Sequence, residues 1–143
     1  SKSNQDLADR IRVCVRKRPL SKKEIKKGET YIATVSGRRT IRLLEAKIKV
    51  DLTKYVEQHE LCFDEVFDAT ESNYDVYVRT AKPLVEHVFN KGKATCFAYG
   101  QTGSGKTYTM MGNARSGAKG LYLLAAIDIF DSKVNERRCF KRI

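Results

Sequence analysis

The sequence predicts an α/β domain in which a central mixed sheet is flanked by helices. Three observations predict this class. Short segments rich in strand-forming residues alternate with helical patterns between residues 61 and 130. The first long helical pattern begins with a capping signature, Ser72 followed three residues later by Asp75. The chain of 143 residues is long enough for one ordinary domain with its own core, but short for two.

Short strands are predicted in the first half of the chain. Residues 12–16 alternate polar and apolar side chains, and Pro19 ends this segment because proline cannot donate to a sheet ladder. Further strands are predicted at residues 30–35, 40–44, 47–52 and 61–67. The first two of these flank a turn at residues 36–39, and the third could pair with them. Residues 21–29 are predicted to be a charged connector.

Helices are predicted mainly in the second half. Apolar residues recur at helical spacing from Ser72 through Phe89. Pro83 lies inside this pattern, so we expect a kink or an early break. Residues 94–99 are predicted to be a strand, parallel to the strand that precedes the helix. The remaining predictions are helices at residues 105–111 and 121–130, a flexible connection at residues 113–120 and a charged tail at residues 131–143.

Composition excludes several classes of protein. No stretch approaches the ~18 consecutive apolar residues of a membrane span, and no apolar segment begins the chain as a signal peptide would. We therefore expect a cytosolic protein with no membrane partner. The four cysteines form no C-x-x-C pair and are expected to be small core residues. The two histidines show no ligand-like spacing, so no metal site built from protein ligands alone is predicted.

The net charge of +11 is unevenly distributed. Residues 1–50 hold fifteen Lys and Arg against five Asp and Glu, a net of +10. Residues 51–112 carry a net charge of −3, and residues 113–143 carry +4. A basic segment beside a slightly acidic one suggests an acidic macromolecular partner, either nucleic acid or an acidic protein surface. The alternative is that surplus lysine merely solvates the surface.

A glycine-rich motif carries the chemistry. Residues 100–107 match G-x-x-x-x-G-K-[ST] at every fixed position. They are Gly100, Gln101, Thr102, Gly103, Ser104, Gly105, Lys106 and Thr107. The glycines let the backbone turn so that its N–H groups form an anion nest, and the helix that begins there adds the positive end of its dipole. Lys106 supplies a full charge to the outer phosphates, and the Thr107 hydroxyl is placed to ligate Mg²⁺.

Hydrolysis requires more than this loop. Phosphoryl transfer also needs a residue that positions the attacking water and a carboxylate that holds the metal shell. Neither an Asp-x-x-Gly after a strand nor a serine-rich switch segment follows the loop in this sequence. The sequence therefore predicts binding of ATP and Mg²⁺, indicates no catalytic residue, and leaves hydrolysis by this chain open.

At this point the residues resemble a known family. Residues 99–109, Tyr-Gly-Gln-Thr-Gly-Ser-Gly-Lys-Thr-Tyr-Thr, are similar to the nucleotide loop of kinesin motor domains. Three further segments follow that family's order. Residues 13–20 resemble its first strand and Arg-x-Arg-Pro segment, residues 63–67 its second strand, and residues 120–130 the helix after the loop. The resemblance implies the N-terminal portion of a P-loop NTPase motor fold, with ATP, tubulin and microtubules as partners and nucleic acid not expected.

The resemblance also implies contacts to adenine. In kinesins the base is held by the Arg-x-Arg-Pro segment and by an aromatic residue or histidine after the loop threonine. On this chain these positions are Arg16, Arg18, Pro19 and Tyr108. The chemistry is suitable, because a guanidinium plane and an aromatic face can both stack on a base. The alternative for the two arginines is surface solvation.

A narrower resemblance concerns Lys49, Val50 and Asp51. These residues look like the extended hairpin tip of the internal-motor, microtubule-depolymerising kinesins (the kinesin-thirteen class), and residues 93–99 point the same way. In that class the tip is taken to press on tubulin at microtubule ends and to favour a bent protofilament. The resemblance implies a cytoplasmic, cytoskeletal protein, with the spindle as one candidate location. The alternative is an ordinary solvated turn.

The predicted organisation is a flexible lead-in at residues 1–10 and a partial motor domain at residues 11–143. The switch segments, the principal microtubule-binding helix and the last strands of the resembled family would lie beyond Ile143, so we expect an incomplete sheet. Two other functions stay open. One is a non-hydrolysing basic module that binds tubulin or another acidic partner. The other is an unrelated small-molecule phosphotransferase, in which the Arg-x-Arg-Pro strand has no obvious role.

Overall fold

The structure, a computed structural model, describes the backbone of residues 11–140 and the side chains of residues 11–131. The predicted lead-in at residues 1–10 and the last three residues of the predicted tail lie outside the described residues. The chain divides into two compact units, the first ending at Thr70 and the second beginning at Glu71. Each unit has its own buried apolar residues, among them Phe67 in the first and Tyr77 in the second.

In residues 11–70, the described part of the first unit, there are five strands and one short helix. They are β1 (Cys14–Arg16), α1 (Lys22–Lys26), β2 (Ala33–Ser36), β3 (Thr40–Ile48), β4 (Lys54–Cys62) and β5 (Glu65–Phe67). Strands β1 and β5 pair in parallel, whereas β2, β3 and β4 form an antiparallel sheet in that order. Parallel and antiparallel pairing therefore both occur in the described residues of this unit, in separate sheets.

Residues 61–67 belong to two strands, so the prediction of a single strand there is wrong. The chain changes partners at Phe63, whose N–H donates to the Arg39 carbonyl at 2.8 Å. Asp64 then joins the β1 side, because its N–H donates to the Val13 carbonyl at 3.0 Å and its carboxylate accepts from the Val13 N–H at 2.8 Å. A local pattern cannot show such a change of partner, because both halves have the composition of a strand.

Strands β3 and β4 pair along their full lengths as a long antiparallel hairpin. The separate strand predicted at residues 47–52 is wrong, since β3 continues to its end at Ile48 and the chain then turns. The Lys49 N–H donates to the Thr53 carbonyl, and the Leu52 N–H donates to the Lys49 carbonyl, both at 2.9 Å. Leu52 takes a left-handed conformation with φ of 66°, which closes the turn.

Helix α1 replaces the charged connector predicted at residues 21–29. The Ser21 hydroxyl accepts from the Glu24 N–H, and the Glu24 carboxylate accepts from the Ser21 N–H, which is a complete capping box. The two reciprocal bonds satisfy N–H groups that a helix start otherwise leaves unpaired. The signal, a serine followed three residues later by a glutamate, was present in the sequence.

The second unit, described from residue 71 to residue 140, has four helices and one short hairpin there. They are α2 (Asn73–Thr80), α3 (Lys82–Phe89), α4 (Lys106–Met110), β6 (Gly112–Asn113), β7 (Ala118–Lys119) and α5 (Leu121–Phe140). The predicted capping box at Ser72 and Asp75 begins α2. The expected break near Pro83 is confirmed, because α2 ends at Thr80, with Ala81 as its C-cap, and the proline lies in the first turn of α3, where its missing N–H costs little.

The strand predicted at residues 94–99 is wrong, and with it the predicted parallel pair around the helix. This segment carries no strand, and no other segment in residues 11–140 pairs with it. Phe97 and Tyr99 are 79% and 96% exposed. A strand needs a neighbour for its N–H and C=O groups, so strand-forming composition alone does not make one.

The structure differs from the sequence predictions in two further places. The connection predicted to be flexible at residues 113–120 contains the β6–β7 hairpin, and α5 continues ten residues past its predicted end at Phe130. Four of the ten residues in this extension are lysine, glutamate or arginine, which are good helix formers. Within the described part of the chain, no helix combines the length and the apolar character needed to cross a membrane.

A buried hydrogen bond fastens α2 to α5. Tyr77 is 1% exposed, and its hydroxyl donates to the Asp128 carboxylate at 2.6 Å. Burial, with the neighbouring carboxylate, raises the pKa of the Tyr77 phenol above its usual value. The tyrosine therefore stays protonated and donating throughout the neutral range.

We expect Tyr77→Phe to lower the free energy of unfolding by about 1–2 kcal/mol, because the aromatic ring is kept while the Asp128 carboxylate loses a donor. Urea unfolding followed by circular dichroism measures the change. Tyr74→Phe is the control, since Tyr74 is 59% exposed. A Tyr77→Phe variant as stable as the wild type would contradict the assigned bond.

Candidate nucleotide-binding site

The predicted phosphate loop has the backbone conformation that its glycines allow. Gly100, Gly103 and Gly105 have φ angles of 152°, 80° and 96°, a region that other residues rarely adopt. At Gly100 an added Cβ would also lie 2.7 Å from the Ser104 hydroxyl oxygen. The loop ends where Gly105 caps the start of α4, so Lys106 and Thr107 are the first two residues of that helix.

Lys106 turns back over the loop. Its Nζ donates to the carbonyl oxygens of Gly100 and Gln101, at 2.5 and 2.8 Å. The Ser104 N–H also donates to the Gln101 carbonyl, at 3.2 Å, so one of the amides expected to form an anion nest serves the loop's own turn. The ammonium charge is thus held at the loop by backbone oxygens of its first two residues.

One polar atom in the loop is unmatched. The Ser104 hydroxyl oxygen is buried and has no hydrogen-bond partner in the described part of the chain. A buried hydroxyl without a hydrogen-bond partner raises the free energy of the folded state. A ligand bound at the loop could supply the missing hydrogen bond to Ser104. Thr107 is exposed in the first turn of α4, where its hydroxyl is accessible to a metal ion.

Tyr108 follows the loop and borders a cavity of about 490 Å³. The cavity lies within the second unit, between the start of α2, the β6–β7 hairpin and α5. Tyr108 is 42% exposed, so an aromatic surface is available directly after the phosphate loop. The structure therefore brings the predicted residues 100–108 together in one unit.

The other predicted adenine contacts lie in the first unit. Arg16 is the last residue of β1, and Pro19 is exposed three residues later. The two terminal nitrogens of Arg18 donate to the two carboxylate oxygens of Glu24, at 2.9 and 2.7 Å. This bidentate pair, with the hydrogen bonds from Ser21, holds the pKa of Glu24 well below its usual range. Glu24 is a residue that the motif analysis missed, although the capping-box spacing indicated it.

Comparison with known proteins decides the family. A family model described as the kinesin motor domain matches residues 16–141. The chain belongs to the kinesin motor domain family. It is 55% identical over 131 residues to a mouse protein named kinesin-like protein KIF24, and 56% identical over 122 residues to the human protein of that name. These alignments cover 91% and 85% of this chain, but only 10% and 9% of the relatives.

A solved structure supports the fold. The chain superposes on the structure of a protein described as a fast kinesin with a TM-score of 0.74 and 34% sequence identity, over 87% of this chain. The match covers 33% of the solved kinesin chain. The α/β fold is therefore that of a P-loop NTPase motor of the kinesin type, and this chain spans a portion of it. The predicted fold class is confirmed.

The kinesin hairpin tip predicted from Lys49, Val50 and Asp51 lies where β3 turns into β4. Val50 is fully exposed. The Asp51 carboxylate accepts from the Thr53 N–H at 3.0 Å, and this bond lowers the pKa of Asp51. The Lys49 ammonium lies 5.7 Å from the centre of the Tyr55 ring. The tip is thus an exposed turn whose charged side chains have defined neighbours.

One cluster in the described residues has metal-ligand chemistry that the motif analysis did not predict. Side-chain atoms of Glu45, Glu57 and His59, on one face of the β3–β4 hairpin, lie within 4.8 Å of one another. The Lys47 ammonium pairs with both carboxylates. An ammonium group of the chain itself therefore already offsets part of the negative charge of this cluster.

The Arg18–Glu24 pair predicts a pH dependence. The folded-state pKa of Glu24 is depressed, so its stabilisation of α1 is complete above its unfolded pKa of about 4.3 and is lost as the pH falls through the folded value. We expect Arg18→Gln to raise the pKa of Glu24 towards the unfolded value, as measured by NMR of the side-chain carboxyl carbon. The lowered pKa of Asp75, caused by Ser72, should not move. An unchanged Glu24 titration would exclude the ion pair in solution.

Proposed function

We propose that this chain is the ATP-binding part of a kinesin-like microtubule motor. The observation that supports this proposal is the conformation of residues 100–107, in which three glycines at positive φ place Lys106 and Thr107 at the start of α4. Lys106 would face the outer phosphates, and Thr107 would hold Mg²⁺, which supplies charge neutralisation between the phosphates when it is bound. Arg16, Arg18, Pro19 and Tyr108 would contact the adenine.

Nucleotide binding would exchange one set of bonds for another. The Lys106 ammonium now has two carbonyl partners, and the Ser104 N–H has one. A phosphate oxygen is a stronger partner for an ammonium than a carbonyl, because both groups are charged. The same ligand would give the buried Ser104 hydroxyl a partner. Lys106 would therefore bind a phosphate oxygen in preference to the Gly100 and Gln101 carbonyls.

The microtubule part of the proposal has two supports. The solved relative is described in terms of an ATPase mechanism and interactions with microtubules, and this chain has the same fold. The first fifty residues carry most of the net charge of +11, which suits an acidic protein surface. The cytoplasm and the cytoskeleton are the proposed location, with the spindle as one candidate within it.

The depolymerising type is proposed from the β3–β4 hairpin. Its tip places Lys49, Val50 and Asp51 at the end of two nine-residue strands, so an apolar side chain projects between two opposite charges. The relatives named KIF24 share more than half of the aligned residues with this chain. A protruding tip of this kind would press on tubulin at a microtubule end instead of supporting steps along the lattice.

A second function is favoured by the charge distribution. Residues 1–50 carry a net charge of +10, which attracts an acidic surface whether or not nucleotide is bound. The chain could therefore act as a basic module that binds tubulin or another acidic partner without hydrolysis. Co-sedimentation with microtubules without nucleotide separates the two functions. Binding that falls steeply with added salt favours the module, and binding that depends on nucleotide favours the motor.

We expect Lys106→Ala to weaken binding of a fluorescent ATP analogue by at least about a hundredfold, because a charge-assisted bond to phosphate is lost. Equilibrium titration with Mg²⁺ present measures the affinity. Lys93→Ala is the control, since Lys93 is exposed in the same unit and lies outside the loop. Retained affinity in the Lys106→Ala chain would overturn the proposed nucleotide site.

The hairpin tip is tested by replacing Lys49, Val50 and Asp51 with alanine. This change removes one positive and one negative charge, so the net charge is unchanged. We expect tubulin release from stabilised microtubules to fall several-fold and the nucleotide affinity to stay unaltered. Both are measured with the full-length protein. Replacing the exposed pair Lys26 and Glu29 is the matched neutral control. Equal tubulin release by the tip variant and the control would remove the tip from the proposal.

A further inference from the structure

Asn73 joins three elements of the second unit through one side chain. It is the first residue of α2 and is 5% exposed. Its Nδ2 donates to the Tyr108 carbonyl in α4 at 2.9 Å and to the Lys119 carbonyl in β7 at 3.0 Å. Both hydrogens of one buried amide are thus used on backbone oxygens of two other elements. Buried polar side chains with such bonds fix backbone positions, because each bond is costly to lose away from water.

Helix α4 depends on contacts at its C-terminal end. It has only five residues, and Gly105 provides no side-chain cap at its start. A single turn of this length is not stable by itself, so its position must come from its surroundings. Tyr108 follows Lys106 and Thr107 directly, at a rise of about 1.5 Å per residue. A shift of the Tyr108 carbonyl therefore moves both residues of the proposed phosphate and Mg²⁺ contacts.

Two glycines tighten the same junction. A Cβ on Gly120 would lie 2.4 Å from the Met110 carbonyl oxygen, and one on Gly112 would lie 2.2 Å from the Ala118 carbonyl oxygen. The end of α4, the β6–β7 hairpin and the start of α5 therefore approach one another backbone to backbone. Asn73 supplies the side-chain bonds from α2 to this junction, so α4 is held from two directions.

We propose that Asn73 is a positioning residue of the nucleotide site, which sets the place of Lys106 and Thr107 through its bond to the Tyr108 carbonyl. This inference rests on the proposed function, since it concerns the same loop. It assigns to α2, which contributes no residue to the loop motif, an indirect influence on nucleotide affinity through α4. It also predicts that the hairpin and the phosphate loop respond together when the amide is lost.

A matched pair of variants separates positioning from general stability. Asn73→Leu keeps the approximate shape and removes both bonds. Tyr77→Phe removes another buried bond of the same helix, but that bond leads to Asp128 in α5 and not to α4. We expect Asn73→Leu to weaken the affinity for Mg²⁺ and a fluorescent ADP analogue by about tenfold, the equivalent of one or two hydrogen bonds. Tyr77→Phe should change this affinity less than about twofold.

Amide hydrogen exchange without nucleotide gives an independent readout. The Thr109 N–H donates to the Gly105 carbonyl at 3.0 Å, and the Met111 N–H donates to the Thr107 carbonyl at 2.8 Å, so both amides report on α4. Their exchange should accelerate in Asn73→Leu and not in Tyr77→Phe. Asn73→Ser, which is smaller and replaces the amide and its two donor hydrogens with a single hydroxyl, provides the same comparison if the leucine variant does not fold.

The possible results of these experiments distinguish the positioning role of Asn73 from the proposed function itself. Equal affinity and equal α4 exchange in the Asn73 variants and the wild type would overturn the inference, as would an equal loss in Tyr77→Phe. A wild-type chain that binds no nucleotide would overturn the proposed function instead, and the inference about nucleotide affinity with it. Selective loss of affinity with faster α4 exchange supports the positioning role.

Discussion

The position of the Lys106 ammonium depends on the backbone conformation of the loop before it. Positive φ angles at Gly103 and Gly105 turn the chain sharply enough that the first turn of α4 lies beside the start of the loop. Only there can Lys106 reach the Gly100 and Gln101 carbonyls. Any other residue in place of one of these glycines would be held by the loop in a backbone conformation that L-residues avoid. The charge, the helix start and the unmatched Ser104 hydroxyl are therefore consequences of one backbone constraint.

The β3–β4 hairpin is held together differently, by its fully paired backbones and several surface ion pairs and with little core. Most of its side chains are exposed or half-buried. Lys47 pairs with Glu45 and Glu57 on one face, and Arg42 pairs with Glu60 across the strands on the other, at 2.8 Å. Exposed ion pairs of this kind, within one strand or across two, each contribute only a few tenths of a kcal/mol to about 1 kcal/mol. The hairpin thus combines a fixed register with little buried area, which suits an element that projects a tip towards a partner.

Local signals explain what could be predicted from the sequence. The capping box at Ser72, the break caused by Pro83 and the glycine loop all depend on residues a few positions apart, and each appears in the structure. The strand prediction for residues 94–99 was wrong because a strand needs a partner that is distant in the sequence, and local composition does not show one. Strand β4 was largely missed because both of its faces are solvated, so no polar and apolar alternation marks it. Asn73 carries no sequence signal at all, because its importance comes from two distant carbonyls.

Arg18 shows how an ion pair and a proposed stacking role can coexist. Its bond to Glu24 uses the edge of the guanidinium group, through both terminal nitrogens. Stacking on a base would use the flat faces, which in-plane hydrogen bonds leave uncovered. The carboxylate also fixes the orientation of the plane, which lowers the conformational entropy lost when a base binds. The capping box of α1 therefore has a second consequence besides starting a helix, since Glu24 satisfies the Ser21 N–H and orients Arg18 with one carboxylate.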